Sequence, residues 1–213
     1  GEGRMGFVGP QSGSIECWEP FSGELVNTIK AHKGSVVSLV VSSDDRLLVS
    51  GGADGVIRLW QLPECELALE LTGHKGSVRG LALDREGAVL ISGSQDHTIR
   101  AWQLEKGTCM NVLEGHTAGV NAVAVDAAGL YALSGSRDAT AKVWHLREAE
   151  CLRTLSGHTH RIHAVCLSCD ASLAVTASRD RSVVLWNVDT GEALRRLRRS
   201  EEHTSELQSP SAI

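Results

Sequence analysis

After each of four histidines, apolar residues fall three and then two positions apart. Val36, Leu39 and Val41 follow His32; Val78, Leu81 and Leu83 follow His74; Val120, Val123 and Val125 follow His116; Ile162, Val165 and Leu167 follow His158. Alternation marks a half-buried strand, and a single step of three inside it predicts a β-bulge. A polar turn such as "SSDD" or "DREG" comes next, then a second apolar run: "LLVS", "AVLIS", "LYALS" or "SLAVT". A tight turn around an aspartate, a third strand ending in tryptophan and a fourth strand ("ELALELT", "TCMNVLE", "CLRTLS") complete the unit. No stretch shows helical spacing over a useful length. The chain is therefore expected to be all-β, with four short strands per unit forming one antiparallel sheet.

The unit recurs every 42 residues: "SGGADGVIRLW" starts at Ser50, "SGSQDHTIRAW" at Ser92, "SGSRDATAKVW" at Ser134 and "TASRDRSVVLW" at Thr176. Trp18, Trp60, Trp102, Trp144 and Trp186 all obey the period. A Ser, His and Asp set could suggest a hydrolase. An active site occurs once per domain, however, whereas a set repeated at fixed spacing is a building block. Sheets repeated radially make a β-propeller. The expected propeller segment spans residues 1–198, with blades at about 6–30, 36–72, 78–114, 120–156 and 162–198. The first is degenerate, with Val8 at the hydroxyl position and Ser12 at the aspartate position. Four full blades and a partial one are expected to belong to a larger ring.

"GH" stands at Gly73-His74, Gly115-His116 and Gly157-His158, with Ala31-His32 as a softened copy. With the recurrent Asp and Trp, this resembles the WD-repeat (tryptophan–aspartate repeat) β-propeller family, over residues 6–198. One departure is consistent: Glu19, Gln61, Gln103, His145 or Asn187 follows the Trp, never Asp. The resemblance implies a structural hydrogen-bond quartet in each blade: His32-Asp54-Ser50-Trp60, His74-Asp96-Ser92-Trp102, His116-Asp138-Ser134-Trp144 and His158-Asp180-Thr176-Trp186. It also implies a rim where partners dock. In register, the rim positions are Ser35, Val37, Ala53; Ser77, Arg79, Gln95; Gly119, Asn121, Arg137; and Arg161, His163, Arg179. The last three blades thus offer four Arg and a His with no acid. Arg58, in a third strand, lies outside this arc. Arginine suits bidentate capture of carboxylate or phosphate.

The expected function is a protein-interaction scaffold. It would bind protein or peptide partners, acidic or phosphorylated segments in particular, through Ser77, Arg79, Gln95, Asn121, Arg137, Arg161, His163 and Arg179. Catalysis, a cofactor and a metal are not expected. The alternatives are an enzymatic propeller, disfavoured because the rim lacks a carboxylate, or a sensor or autoinhibitory region of a large nucleotide-dependent switch protein.

Composition changes this picture little. The 213 residues are 42% hydrophobic and 22% charged, as in an ordinary globular protein. A net charge of −5 argues against a nucleic-acid partner, and no apolar run is long enough to span a membrane. Of six cysteines only Cys109 and Cys151 share a register in the repeat, alternating there with Leu67 and Ala193 as small apolar residues do; with no Asn-x-Ser/Thr site, this suggests a reducing intracellular setting, cytoplasmic or nuclear. "GEGRMG" at residues 1–6 matches a dinucleotide fingerprint by letters but lacks its strand and helix. His158, His160 and His163 are close enough to suggest zinc, but no thiolate or carboxylate at ligand spacing completes the set. From Arg199 the period vanishes, and "RSEEHTSELQS" resembles a translated sequencing-library adapter. Residues 199–213 are therefore expected to be a non-native or unstructured tail.

Overall fold

In the computed structural model, residues 5–198 are described; most of the fingerprint match and the whole of the 199–213 tail lie outside them. The described residues form nineteen β-strands and no helix. The first sheet holds β1 (Gly6–Val8), β2 (Ser14–Glu19) and β3 (Glu24–Lys30). The second holds β4 (Val36–Val41), β5 (Leu47–Gly52), β6 (Ile57–Gln61) and β7 (Glu66–Leu71). The third holds β8 (Val78–Leu83), β9 (Val89–Ser94), β10 (Ile99–Gln103) and β11 (Thr108–Leu113). The fourth holds β12 (Val120–Val125), β13 (Tyr131–Ser136), β14 (Ala141–His145) and β15 (Glu150–Leu155). The fifth holds β16 (Ile162–Leu167), β17 (Leu173–Ser178), β18 (Ser182–Asn187) and β19 (Ala193–Arg198). Within every sheet, spatial order follows chain order, and all neighbours are antiparallel.

The step of three in the apolar pattern has a direct structural cause. In the second sheet Val36 pairs with Gly52 and Ser38 with Gly51, which leaves Val37 as the extra residue of a bulge. The same shift leaves Arg79, Asn121 and His163 unpaired in the next three sheets. A bulged residue is turned out of the ladder. A second irregularity, absent from the sequence expectations, precedes each Trp: Leu59 pairs with Leu69 but Trp60 with Leu67, and the pattern recurs at Trp18, Trp102, Trp144 and Trp186.

Four apolar cores lie between successive sheets. Between the second and third, Val49, Ile57, Leu59 and Leu71 meet Val78, Leu90 and Trp102. Trp60, Trp144 and Trp186 sit likewise in the other three seams. The glycine inside each "SGS" permits this close approach. A Cβ on Gly93 would fall 2.6 Å from Val120 Cγ1 of the following sheet, and one on Gly135 would fall 2.5 Å from Ile162 Cγ2. Strands β4, β8, β12 and β16 are the innermost of their sheets and contact one another in succession.

Candidate functional site

Each quartet is built from four places in one sheet. The His precedes the first strand, the Ser or Thr lies in the second and the Trp in the third, while the Asp sits in the turn between the second and third strands. In the third sheet, His74 Nδ1 lies 2.8 Å from Asp96, His74 Nε2 lies 2.8 Å from Ser92 Oγ, and Trp102 Nε1 donates to Ser92 Oγ at 2.8 Å. The fourth sheet gives 2.7, 2.8 and 2.8 Å through His116, Asp138, Ser134 and Trp144. The fifth gives 2.8 Å for all three through His158, Asp180, Thr176 and Trp186. In the second sheet His32 lies 3.0 Å from Asp54 and 2.8 Å from Ser50, which accepts from Trp60 at 2.9 Å.

Donor chemistry orders the chain of bonds. Indole N–H can only donate, and a carboxylate can only accept. In the third, fourth and fifth sheets the hydroxyl therefore accepts from Trp and donates to His Nε2, and the protonated Nδ1 donates to Asp. Aligned bonds of this kind reinforce one another. Ser50, Ser92, Ser134 and Thr176 are fully buried, so each hydroxyl is enclosed between strands and engaged on both sides. Burial holds His74 and His32 below their ordinary pKa, against the opposing pull of Asp96 and Asp54. Burial alone would raise the Asp96 carboxyl, but hydrogen bonds from Thr98, the Lys75 N–H and His74 outweigh it and hold its pKa well below the usual range. Asp138 and Asp180 are depressed by the same balance, and Asp54 by a related one that includes Arg58.

The sequence reading missed further members. Thr98, Thr140 and Ser182 hydroxyls donate to Asp96, Asp138 and Asp180 at 2.7, 2.6 and 2.6 Å. In the second sheet that position is Val56, and Arg58 takes over, its Nη1 lying 3.1 Å from Asp54 Oδ2 and its Nε 2.8 Å from Glu70. Arg58 is thus part of a quartet's surroundings and not a surface residue independent of it. The second serine of "SGS" ties the aspartate turn to the loop before the first strand: Ser94 Oγ donates to the Gly76 carbonyl and accepts from the Asp96 N–H. Ser136 and Ser178 do the same. The recurrence of hydroxyls at these positions was the available signal. In the first sheet Trp18 Nε1 donates instead to Glu16, at 3.3 Å.

The rim positions come together as backbone neighbours. Gln95 N donates to Ser77 O, Arg137 N to Gly119 O, and Arg179 N to Arg161 O, at 2.9, 2.9 and 3.0 Å. Arg79 Nη2 reaches Gln95 Oε1 at 3.5 Å, and Arg137 Nε donates to Asn121 Oδ1 at 3.3 Å, while Asn121 Nδ2 donates to the Ile162 carbonyl. Gln95, Arg137, His163 and Arg179 are exposed, and Ser77, Arg79, Asn121 and Arg161 are half-buried. Burial and the charges of Arg137 and Arg161 hold the Arg79 guanidinium below its ordinary pKa, which places three cations within electrostatic reach. The Nε atoms of Arg79 and Arg161 are buried without a hydrogen-bond partner. Among the described residues no carboxylate forms an ion pair with Arg79, Arg137, Arg161 or Arg179. Beside them, Ser38, Arg79, Asn121, His163 and their strand neighbours line an open concavity of about 300 Å³ between the four innermost strands.

A second hollow of about 310 Å³ lies at the seam of the fourth and fifth sheets, lined by Tyr131, Leu152, Arg153, Asp170 and Val188 among others. Its Arg153 already donates to the Asp189 and Leu152 carbonyls, so it offers less unsatisfied polar capacity than the rim. His158 is engaged in its quartet and His160 meets Thr159 at 3.2 Å. Among the described residues, no group of three His, Cys, Asp or Glu is placed to hold a metal, and no helix is long and apolar enough to cross a membrane.

Antiparallel sheets repeated around converging inner strands, four of the five closed by an Asp–His–Ser/Thr–Trp chain, define a repeat-built β-propeller protein. Residues 23–61, 65–103, 107–145 and 149–187 match the WD40 family (WD domain, G-beta repeat), and the chain belongs to that family. It is 52% identical over 48 residues to a WD repeat-containing protein 3 homolog of Dictyostelium discoideum, and 39% identical over 51 residues to WD repeat-containing protein 3 of Mus musculus and of Homo sapiens. These matches cover 22% and 24% of this chain and only 5% of each relative's length. WD-repeat proteins are in general non-enzymatic scaffolds that bind other proteins.

Proposed function

We propose that this chain binds an acidic or phosphorylated protein segment at the rim formed by Ser77, Arg79, Gln95, Asn121, Arg137, Arg161, His163 and Arg179. The quartets serve as structural braces, and the chain performs no chemistry of its own. The observation that carries the reading is the group of Arg79, Arg137 and Arg161: Arg79 feels the charge of both others, no carboxylate among the described residues forms an ion pair with any of them, and two buried Nε donors are unused. Clustering cations costs free energy unless an anion compensates it, and guanidinium groups match carboxylate and phosphate geometry. Six cysteines, all thiols, accord with a reducing intracellular compartment.

An array of acidic, phosphorylated, neutral and basic peptides, followed by titration of the best binders, tests this. Acidic or phosphorylated peptides should rank first, and Arg137→Glu should weaken them. Preferential binding of basic or neutral peptides would overturn the proposal.

A further inference from the structure

Two departures from the repeat meet in the seam between the first and second sheets. Cys17 of β2 stands where the other units place Leu59, Ala101, Val143 and Leu185. Cys65, in the turn between β6 and β7, stands where they place Gly23, Gly107, Ala149 and Gly191. All five turn residues are left-handed, with φ from 56° to 75°. That conformation favours glycine, so nothing local selects a cysteine there. Yet Cys17 Sγ and Cys65 Sγ lie 3.6 Å apart, buried together in the core of that seam with Ile15, Leu48 and Trp60. Among the described cysteines no other pair approaches. Cys109 and Cys151 turn their Sγ toward the Asn111 and Arg153 carbonyls, and Cys166 and Cys169 are exposed.

We propose that Cys17 and Cys65 are a redox modification site: a dithiol that a low-molecular-weight disulfide converts to an intramolecular disulfide, stapling the first sheet to the second. The sulfurs need to close by about 1.5 Å to reach bonding distance. The exchange balances in two steps. Cys65 loses its proton and its thiolate attacks the small disulfide, whose S–S bond breaks; one small thiol leaves with that proton, and Cys65 is held as a mixed disulfide. Cys17 then loses its proton and attacks the Cys65 sulfur, and the second small thiol leaves with that proton. Two protons and two electrons pass from the cysteines to the small disulfide. Burial, and then the neighbouring Cys65, push the Cys17 thiol up to about 12. Thiolate is therefore scarce, and the staple forms slowly, through openings of the β6–β7 turn. Once formed in the core it is equally shielded from reduction.

The test uses the full chain carrying Cys166→Ser and Cys169→Ser, so that exposed thiols do not compete. It is incubated with glutathione disulfide, quenched with N-ethylmaleimide and digested without reduction. The expected product is one cross-linked peptide pair containing Cys17 and Cys65, two hydrogens lighter than the free pair. The oxidised protein should melt about 5–10 °C higher than the reduced one, because the bond closes a long loop, and dithiothreitol should reverse the shift. Cys65→Gly restores the residue the repeat uses elsewhere, so it should fold and show no shift. Cys17 and Cys65 both recovered as maleimide adducts, a stable glutathione adduct that never resolves, or a cross-link that leaves Tm unchanged would each overturn the proposal.

Discussion

Arg58 Nη1 lies 3.1 Å from Asp54 Oδ2, filling the role that Thr98, Thr140 and Ser182 hydroxyls fill beside the other three turn aspartates. The side chain is only 14% exposed, and Nη1 also stands 2.8 Å from His32 Nδ1. A fixed cation thus supports Asp54 where Val56 supplies no hydroxyl. Arg58→Met should destabilise by about 1–3 kcal/mol, since it strips a buried carboxylate of a partner. In a Val56→Thr background the loss should shrink by about 1 kcal/mol, because a hydroxyl then returns to the site. A double-mutant cycle by urea melts checks this; purely additive losses would show that the two groups do not substitute for one another.

Trp102 and Asp138 are braces of different kinds. Trp102→Ala should cost about 3–5 kcal/mol through lost packing and an orphaned Ser92. Asp138→Ala should cost about 2–4 kcal/mol, leaving His116 Nδ1–H and the Thr117 N–H without their acceptor. Denaturant melts decide, and variants as stable as the parent would remove the quartets as the source of blade stability.

Stability should fall with acid in two stages. His32 and His74 have pKa values lowered by burial, so below about pH 6.5 the unfolded chain takes up protons that the folded chain refuses. Their contribution is complete above that value and is lost as pH falls toward the folded pKa. Asp54, Asp96, Asp138 and Asp180 have depressed pKa values. Their contribution is complete above about pH 4 and is lost as pH falls through the folded values. Urea midpoints should be flat above pH 7, decline from 6.5 to 5 and drop more steeply below 4. A midpoint that stays constant from pH 7.5 to 5 contradicts the histidine part.

Rim binding should respond to salt. Arg137→Glu or Arg179→Glu should slow association with an acidic peptide, and raising salt from 50 to about 300 mM should weaken the parent more than either variant. Arg58 is unsuitable as the reference because its reversal would disturb Asp54. Arg147, exposed in the turn after β14, is the better one, and Arg147→Glu should leave association unchanged. Stopped-flow traces with one labelled peptide separate these outcomes. Equal slowing by Arg147→Glu would mean that net charge, not the rim, governs encounter.

The strands and the first bulge could be read from spacing, because burial on one face of a sheet imposes a period, whereas the quartets came only from the family resemblance. Val36–Leu39–Val41 carries its bulge openly in the interval between apolar residues. The irregularity before each Trp has no such trace, since Leu67, Ala68 and Leu69 are all apolar or small and any register fits them. Ser94 and Thr98 were legible only as recurring hydroxyls; a hydroxyl that binds a turn leaves no periodicity. The role of Arg58 beside Asp54 was not legible, because a long side chain in a third strand can point to solvent or fold back over its own turn, and only the absence of a hydroxyl at Val56 distinguishes the two. The approach of Cys17 to Cys65 joins different repeats, where spacing within a repeat says nothing.

Each aspartate turn places two neighbouring residues under opposite demands. Asp138 is gripped by His116, Thr140 and the Thr117 N–H, whereas Arg137 beside it is tied to the fold through its backbone, by Gly119 O, and its side chain reaches only the neighbouring rim residue Asn121. The same socket carries Ala53, Gln95 and Arg179 in the other blades. Folding therefore fixes where that side chain is presented while remaining indifferent to what it is. A change of partner can be written one residue per blade, at positions whose substitution leaves the scaffold's cohesion untouched.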